Sequence, residues 1–157
     1  MCDLILTPAF SVNEQRIIRR AMRLLEKYRH DPGEQFLAAS FTKIWLQLHL
    51  ARQEREIFMA LYLDSQNRLL EHETLFLGTV NCTEVHPREI VKSALRQNAA
   101  AVILAHNHPS GMAEASQADR LITAQITKAL DLVDVRVLDH FIVGDSEVIS
   151  FSERGWL

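Results

Sequence analysis

The run Ala101-Val102-Ile103-Leu104-Ala105-His106-Asn107-His108-Pro109-Ser110-Gly111 decides how the chain is read. Its first five residues are apolar and partly β-branched, which predicts a buried strand. If strand alternation continues past Ala105, His106 and His108 share one side and Asn107 points to the other. Pro109 and Gly111 then turn the chain. From Ser116 to about residue 130, Leu121, Ile122, Ile126, Ala129 and Leu130 recur at helical spacing. Asp119, in the first turn of that helix, adds an oxygen to the two imidazole nitrogens. Three protein ligands leave a fourth tetrahedral position open, the arrangement of a catalytic rather than a structural zinc. Ser116-x-x-Asp119 also reads as a capping box variant, its serine oxygen accepting from the third helical amide. A lone strand-end histidine likewise reads as a polar edge residue, and it is the joint spacing that favours a metal.

His106-x-His108-x7-Ser116-x2-Asp119 resembles the zinc signature of the JAB/JAMM (MPN-type) metalloprotease superfamily. Leu104 to Gly111, with Val85-His86-Pro87-Arg88-Glu89-Ile90 upstream and Leu138-Asp139-His140 downstream, makes the chain similar to the RadC-like bacterial branch, from about Glu54 to Leu157. Asn107 departs from eukaryotic members, which carry Ser or Thr there. The resemblance implies an α/β fold, a compact mixed β-sheet flanked by helices, of the JAB/JAMM (cytidine-deaminase-like) metalloprotease type. It implies Zn2+ as cofactor on His106, His108 and Asp119, and hydrolysis of peptide or isopeptide bonds. It also places a general-base glutamate at the start of a strand beside the His-x-His strand. Glu56 fits that place, ahead of the apolar run from Phe58 to Leu63. Glu54 has the same parity, so alternation does not separate the two.

The chemistry then follows from charge, because metal coordination lowers the pKa of bound water from about 15.7 to about 7. Glu56 would accept that proton and pass it to the leaving nitrogen. Ser116, if its hydroxyl is not committed to the helix amide, would donate to the oxyanion. Domains of this kind often need a partner to open or order the site. A protein partner or a homo-oligomer is therefore expected beside an unidentified peptide or isopeptide substrate.

With 157 residues and 48% hydrophobic content the chain supports one sizeable core. Its net charge is −3. Up to residue 54 eight basic residues face six acidic ones, and beyond it nine face fourteen. The acidic remainder offers no field for gathering nucleic acid or an anionic membrane. Cys2 and Cys82 form neither a spaced ligand pair nor a disulfide framework. The opening residues lack the basic region and long apolar core of a secretory signal. No apolar run approaches the roughly 20 residues of a membrane span, so a cytoplasmic protein is expected.

A helix is predicted over 11–30, capped by Ser11 or Asn13, with Val12, Ile17, Ile18, Ala21, Leu24, Leu25 and Tyr28 as its apolar stripe and Asp31-Pro32-Gly33 as its stop. A second, over 40–53, offers Phe41, Ile44, Trp45, Leu48 and Leu50 for burial, and His30 and His49 read as surface or helix-end residues. Full-length RadC-like proteins carry a helix-hairpin-helix segment ahead of the metal domain. No glycine precedes Gly33 here. The expected division is therefore 1–53, an N-terminal helical segment without helix-hairpin-helix, and 54–157, the metal-binding domain.

Residues 56–64, apolar on both alternating faces, predict a central strand, paired antiparallel with 68–77 through a turn at 65–67. Asn81 to Val85 leads to a helix over 87–98 begun by Pro87, with His86 read as a cap or loop anchor in preference to a fourth ligand. A strand over 135–143 and a hairpin strand over 147–151 close the chain. One of Asp139 and His140 faces inward, and Asp139 could hold a ligand histidine's tautomer. A rival reading is an accessory protein of DNA metabolism whose zinc is structural and closed by a fourth protein ligand, His86 being nearest. Nucleoside deamination would need His-x-Glu and Pro-Cys-x-x-Cys, and neither is present.

Overall fold

The structure, a computed structural model, describes residues 11–29, 39–51, 53–78 and 85–157. Cys2, Cys82, His30, the helix stop expected at 31–33 and the lead-in at 81–84 lie outside the described residues. The chain divides into two compact units, Met1–Glu34 and Gln35–Leu157. The first contains α1 (Val12–Arg29). Ser11 begins it: Glu14 Oε2 accepts from the Ser11 amide at 2.7 Å, and Ser11 Oγ accepts from the Glu14 amide at 3.3 Å. This is a reciprocal capping box that satisfies amides the helix itself leaves open.

The second unit contains α2 (Ala39–Leu50), β1 (Ile57–Leu63), β2 (Leu69–Leu77), α3 (Pro87–Arg96), β3 (Ala101–Asn107), α4 (Gln117–Asp131), β4 (Arg136–Val143) and β5 (Val148–Ser150). The strands form one mixed sheet in the order β2-β1-β3-β4-β5. β1 runs antiparallel to β2 and β3, β3 parallel to β4, and β4 antiparallel to β5. The parallel pair is joined through α4, as a parallel connection requires a crossover.

Both faces of β1 are covered, which is why its sequence is apolar without alternation: Phe58 to Leu63 are all buried. On one face Phe58, Ala60, Tyr62, Val102 and Leu104 pack against Ile90 and Ala94 of α3 and Ile126 and Leu130 of α4. Leu104 and Ile126 are fully buried there, and truncation of either to alanine would cost about 2–5 kcal/mol. On the other face the Trp45 ring meets the edge of His72, centroids 5.0 Å apart, and His72 is the cross-strand partner of Leu61. α2 therefore covers the Leu61 face and belongs with the sheet, ahead of the 53/54 division expected from sequence. Within α2, Ile44 faces outward and Thr42 takes a place in the core instead.

The β3–β4 ladder is irregular at one point. Val102 pairs with Val137, but Ile103 pairs with Asp139, so Leu138 is an extra residue in β4. Such a bulge exchanges the faces of every residue beyond it. Among the described residues, no helix is long and apolar enough to cross a membrane.

Candidate metal centre

β3 carries His106 on the face shared with Phe58, its antiparallel partner, and the two rings stack with centroids 5.9 Å apart. His108 lies just beyond the strand, yet its amide still donates to Val143 O at 3.0 Å. The ladder direction thus persists long enough to bring the two imidazoles to one side. The loop after His108 is tight: Gly111, at φ +81°, donates its amide to His108 O at 2.9 Å and accepts from the Asp145 amide at 3.0 Å. A Cβ at Gly144 would stand 2.4 Å from Gly111 O, so only glycine lets the turn after β4 approach so closely.

α4 delivers Asp119. Its N-cap is Ser116, whose Oγ accepts from the Asp119 amide at 3.1 Å and donates to Asp119 Oδ2 at 2.6 Å. The Ser116 amide donates to the same oxygen at 2.7 Å. Capping box and side-chain placement are therefore one arrangement, with the serine hydroxyl proton directed at the carboxylate.

His106 Nε2 lies 3.0 Å from His108 Nε2 and 3.3 Å from Asp119 Oδ1, and His108 Nε2 lies 3.6 Å from Asp119 Oδ2. Zinc bonds of 2.0–2.2 Å at tetrahedral angles put ligand atoms about 3.3–3.6 Å apart. These three residues form a group that could hold a metal ion. His108 Nδ1 is 3.0 Å from Met112 O. A carbonyl only accepts, so Nδ1 carries the proton and Nε2 turns its lone pair into the site. A second lone pair and a carboxylate at these distances repel one another until a cation or proton sits among them, and the donor set of two nitrogens and one oxygen fits zinc.

The charges respond to one another. Burial pushes the Asp119 carboxyl up, but the hydrogen bonds and charge that His106 and His108 offer when protonated, with the hydrogen bond from Ser116, outweigh it and hold the group well below the usual carboxylate range. The hydrogen bond to Asp119 lifts His108 above its ordinary value against its own burial, with Glu56 adding a smaller electrostatic pull.

Glu56 is half-buried and Glu54 exposed. Asn107, buried and pointing away from the histidines, explains how Glu56 is held. Its Oδ1 accepts from the Ile57 amide at 2.7 Å and its Nδ2 donates to Arg55 O at 3.1 Å, bracketing Glu56 on both sides. The Gly78 amide donates to Glu56 O at 2.7 Å. Strand alternation assigns Asn107 a direction but no such task.

One expectation is narrowed and another needs correction. His86 is the N-cap of α3 but makes no side-chain cap hydrogen bond; its ring meets the edge of Phe76 instead, centroids 6.1 Å apart. Asp139 does not support a ligand histidine. It turns to the other face, accepting from Ser150 Oγ at 2.6 Å and the Ser152 amide at 3.0 Å. The bulge at Leu138 is the cause, since the alternation of Val135 and Val137 on the α3 and α4 face would otherwise have brought Asp139 there. His140 takes the position, its Nε2 2.8 Å from His106 Nδ1. It is fully buried, and that burial, with the charge of His106, holds its pKa well below the ordinary histidine value.

Known proteins resemble this chain over most of its length. The family model described as RadC-like JAB domain matches residues 36–156. The chain is 56% identical over 144 residues to the UPF0758 protein YkfG of Escherichia coli K12, covering 92% of this chain and 91% of that protein. It is 54% identical over 144 residues to YeeS of the same strain, covering 92% and 97%. It is 52% identical over 151 residues to YfjY, also of that strain, covering 96% and 94%.

Proposed function

Because this chain belongs to the RadC-like JAB domain family, we propose that it is a zinc-dependent hydrolase of peptide or isopeptide bonds, with His106, His108 and Asp119 as ligands and Glu56 as general base. The observation that carries the reading is the approach of two imidazole nitrogens and a carboxylate to within 3.0–3.6 Å of one another at the end of β3. Zinc, when bound, supplies a Lewis acid that brings the pKa of water to about 7.

The chain's own groups do the rest. Glu56, bracketed by Asn107 and within electrostatic reach of His108, accepts the proton of the attacking water and returns it to the leaving nitrogen. Ser116 holds Asp119 in its cap. By turning its hydroxyl proton away from Asp119 Oδ2 it becomes a donor to the oxyanion of the substrate carbonyl, a contribution of about 3 kcal/mol. The Met112 carbonyl keeps the His108 lone pair directed inward.

The structural-zinc alternative needs a fourth protein donor, and among the described residues the metal-capable group contains only His106, His108 and Asp119. The test measures zinc content by mass spectrometry and hydrolysis of a peptide and isopeptide library for the wild type, His108→Ala and Glu56→Gln. Zinc lost from His108→Ala, and zinc retained without turnover in Glu56→Gln, is the expected result. Full turnover in Glu56→Gln would remove it as general base and point to Glu54.

A further inference from the structure

We infer that Thr123 and His140 are positioning residues that fix the tautomer of His106, through a chain of hydrogen bonds anchored on the backbone carbonyl of Asp119. The inference rests on the zinc-site reading above. Thr123 Oγ1 lies 2.5 Å from Asp119 O and 2.6 Å from His140 Nδ1, and His140 Nε2 lies 2.8 Å from His106 Nδ1.

The direction of every proton follows from the anchor. A carbonyl has no proton to give, so the single hydroxyl proton of Thr123 points to Asp119 O. The Thr123 oxygen then meets His140 Nδ1 with a lone pair, which requires the proton on His140 Nδ1. That leaves His140 Nε2 as an acceptor, so His106 donates from Nδ1 and keeps its Nε2 lone pair for the ligand cluster. The opposite tautomer would set two lone pairs face to face at the Thr123–Asp119 end of the chain, 2.5 Å apart, and would spend His106 Nε2 on an N–H toward His108 Nε2, 3.0 Å away, leaving no lone pair there for a metal ion.

Solvent cannot relax the arrangement. Thr123, His140 and His106 are all buried. The His140 ring is enclosed by Phe58 and Phe151, with centroids at 5.5 and 4.8 Å. Asp119 enters twice, as the site's carboxylate and, through its carbonyl, as the origin of the proton order. One turn of α4 therefore couples the oxygen ligand to the orientation of a nitrogen ligand on β3.

The test titrates zinc into the chelator-stripped full chain in competition with a chromophoric chelator, and reads imidazole tautomers by long-range nitrogen–proton NMR. Thr123→Val, nearly equal in shape, is expected to weaken zinc binding about tenfold, and His140→Phe about 10–100-fold, the usual range for partners of ligand histidines. Thr123→Ser keeps the hydroxyl and should stay within about twofold of wild type. In metal-free wild type, His106 and His140 should both show the Nδ1–H form, and Thr123→Val should mix the His106 tautomers. A role in packing alone would lower thermal stability in Thr123→Val and leave tautomer and affinity unchanged, which overturns the inference. If His108→Ala loses zinc while Thr123→Val and His140→Phe retain wild-type affinity, the hydrogen-bond chain fails and the metal site stands. If the wild type takes up no zinc, both fall.

Discussion

Two polar clusters lie on the same face of the sheet and differ in how they end. At Glu73 of β2, Arg96 Nη2 stands 2.6 and 2.9 Å from the two carboxylate oxygens, and Ser93 Oγ donates to Oε2. The carboxylate there meets the guanidinium, and the cluster ties α3 to β2. At the end of β3 the hydrogen bonds run outward, from His106 through His140 to Thr123 and from His108 to Met112 O, and they leave lone pairs and a carboxylate that face one another. In the first cluster opposite charges are paired within the protein. In the second, electron-pair donors face one another in a group that could hold a metal ion, and that, more than the presence of histidine, separates a candidate site from a structural ion pair.

The sharpest way to break this contrast is to remove a ligand. His106→Ala or His108→Ala should abolish stoichiometric zinc binding, whereas Arg96→Ala should leave it unchanged, both read by metal analysis after gel filtration. Zinc retained in both ligand variants would erase the distinction.

Next in size is Asn107→Ala. It strips the Ile57 amide and Arg55 carbonyl of their partner and should cost about 1–3 kcal/mol in urea unfolding. Turnover should fall further than zinc affinity, because the bracket holds the strand start and not the ligands.

Acidity sharpens the comparison in the metal-free protein. His108 is raised, chiefly by its hydrogen bond to Asp119, so its contribution is full below about pH 6.5 and is lost as pH rises through the raised value. His140 is depressed, chiefly by burial, so its contribution is full above about pH 6.5 and is lost as pH falls below it. The two windows meet without overlapping. Asp119, depressed despite its burial, gives up its share only below about pH 4. Thermal midpoints of chelator-treated protein should therefore peak near pH 6.5. His140→Gln should flatten the acid arm and spare the alkaline one; an unchanged acid arm would contradict the assignment.

The smallest effect is expected at the self-contained cluster. Arg96 and Glu73 keep 54% and 34% of their side-chain surface exposed. Arg96→Ala should accordingly lower stability by less than about 1 kcal/mol.

Much of the frame was legible because it rests on local rules. Phe58 to Leu63, apolar at every position, marks a strand covered on both sides, and His-x-His after a β-branched run brings two rings together by alternation alone. Ser116-x-x-Asp119 announces a helix start, which is how the Asp119 carboxylate is delivered. What escaped depends on contacts between distant segments. The extra residue at Leu138 shifts register against β3 and replaces Asp139 by His140 beneath His106, and no pattern within β4 betrays it. Glu54 and Glu56 share a parity, and what distinguishes their surroundings comes from distant segments, the bracket from Asn107 some fifty residues downstream and the Gly78 amide on Glu56 O. The burial of Trp45 on α2 was legible in its apolar spacing, but its partner His72 on β2 was not, since helical periodicity does not express it.

The most direct measurement is X-ray absorption at the zinc edge of the loaded protein, for the wild type and His86→Ala. An open site predicts two imidazole nitrogens and one carboxylate oxygen at about 2.0–2.2 Å, a single exchangeable solvent oxygen, and spectra unchanged by His86→Ala. A third imidazole that disappears in His86→Ala, or a sulfur scatterer near about 2.3 Å, would show a closed site and contradict the hydrolytic reading.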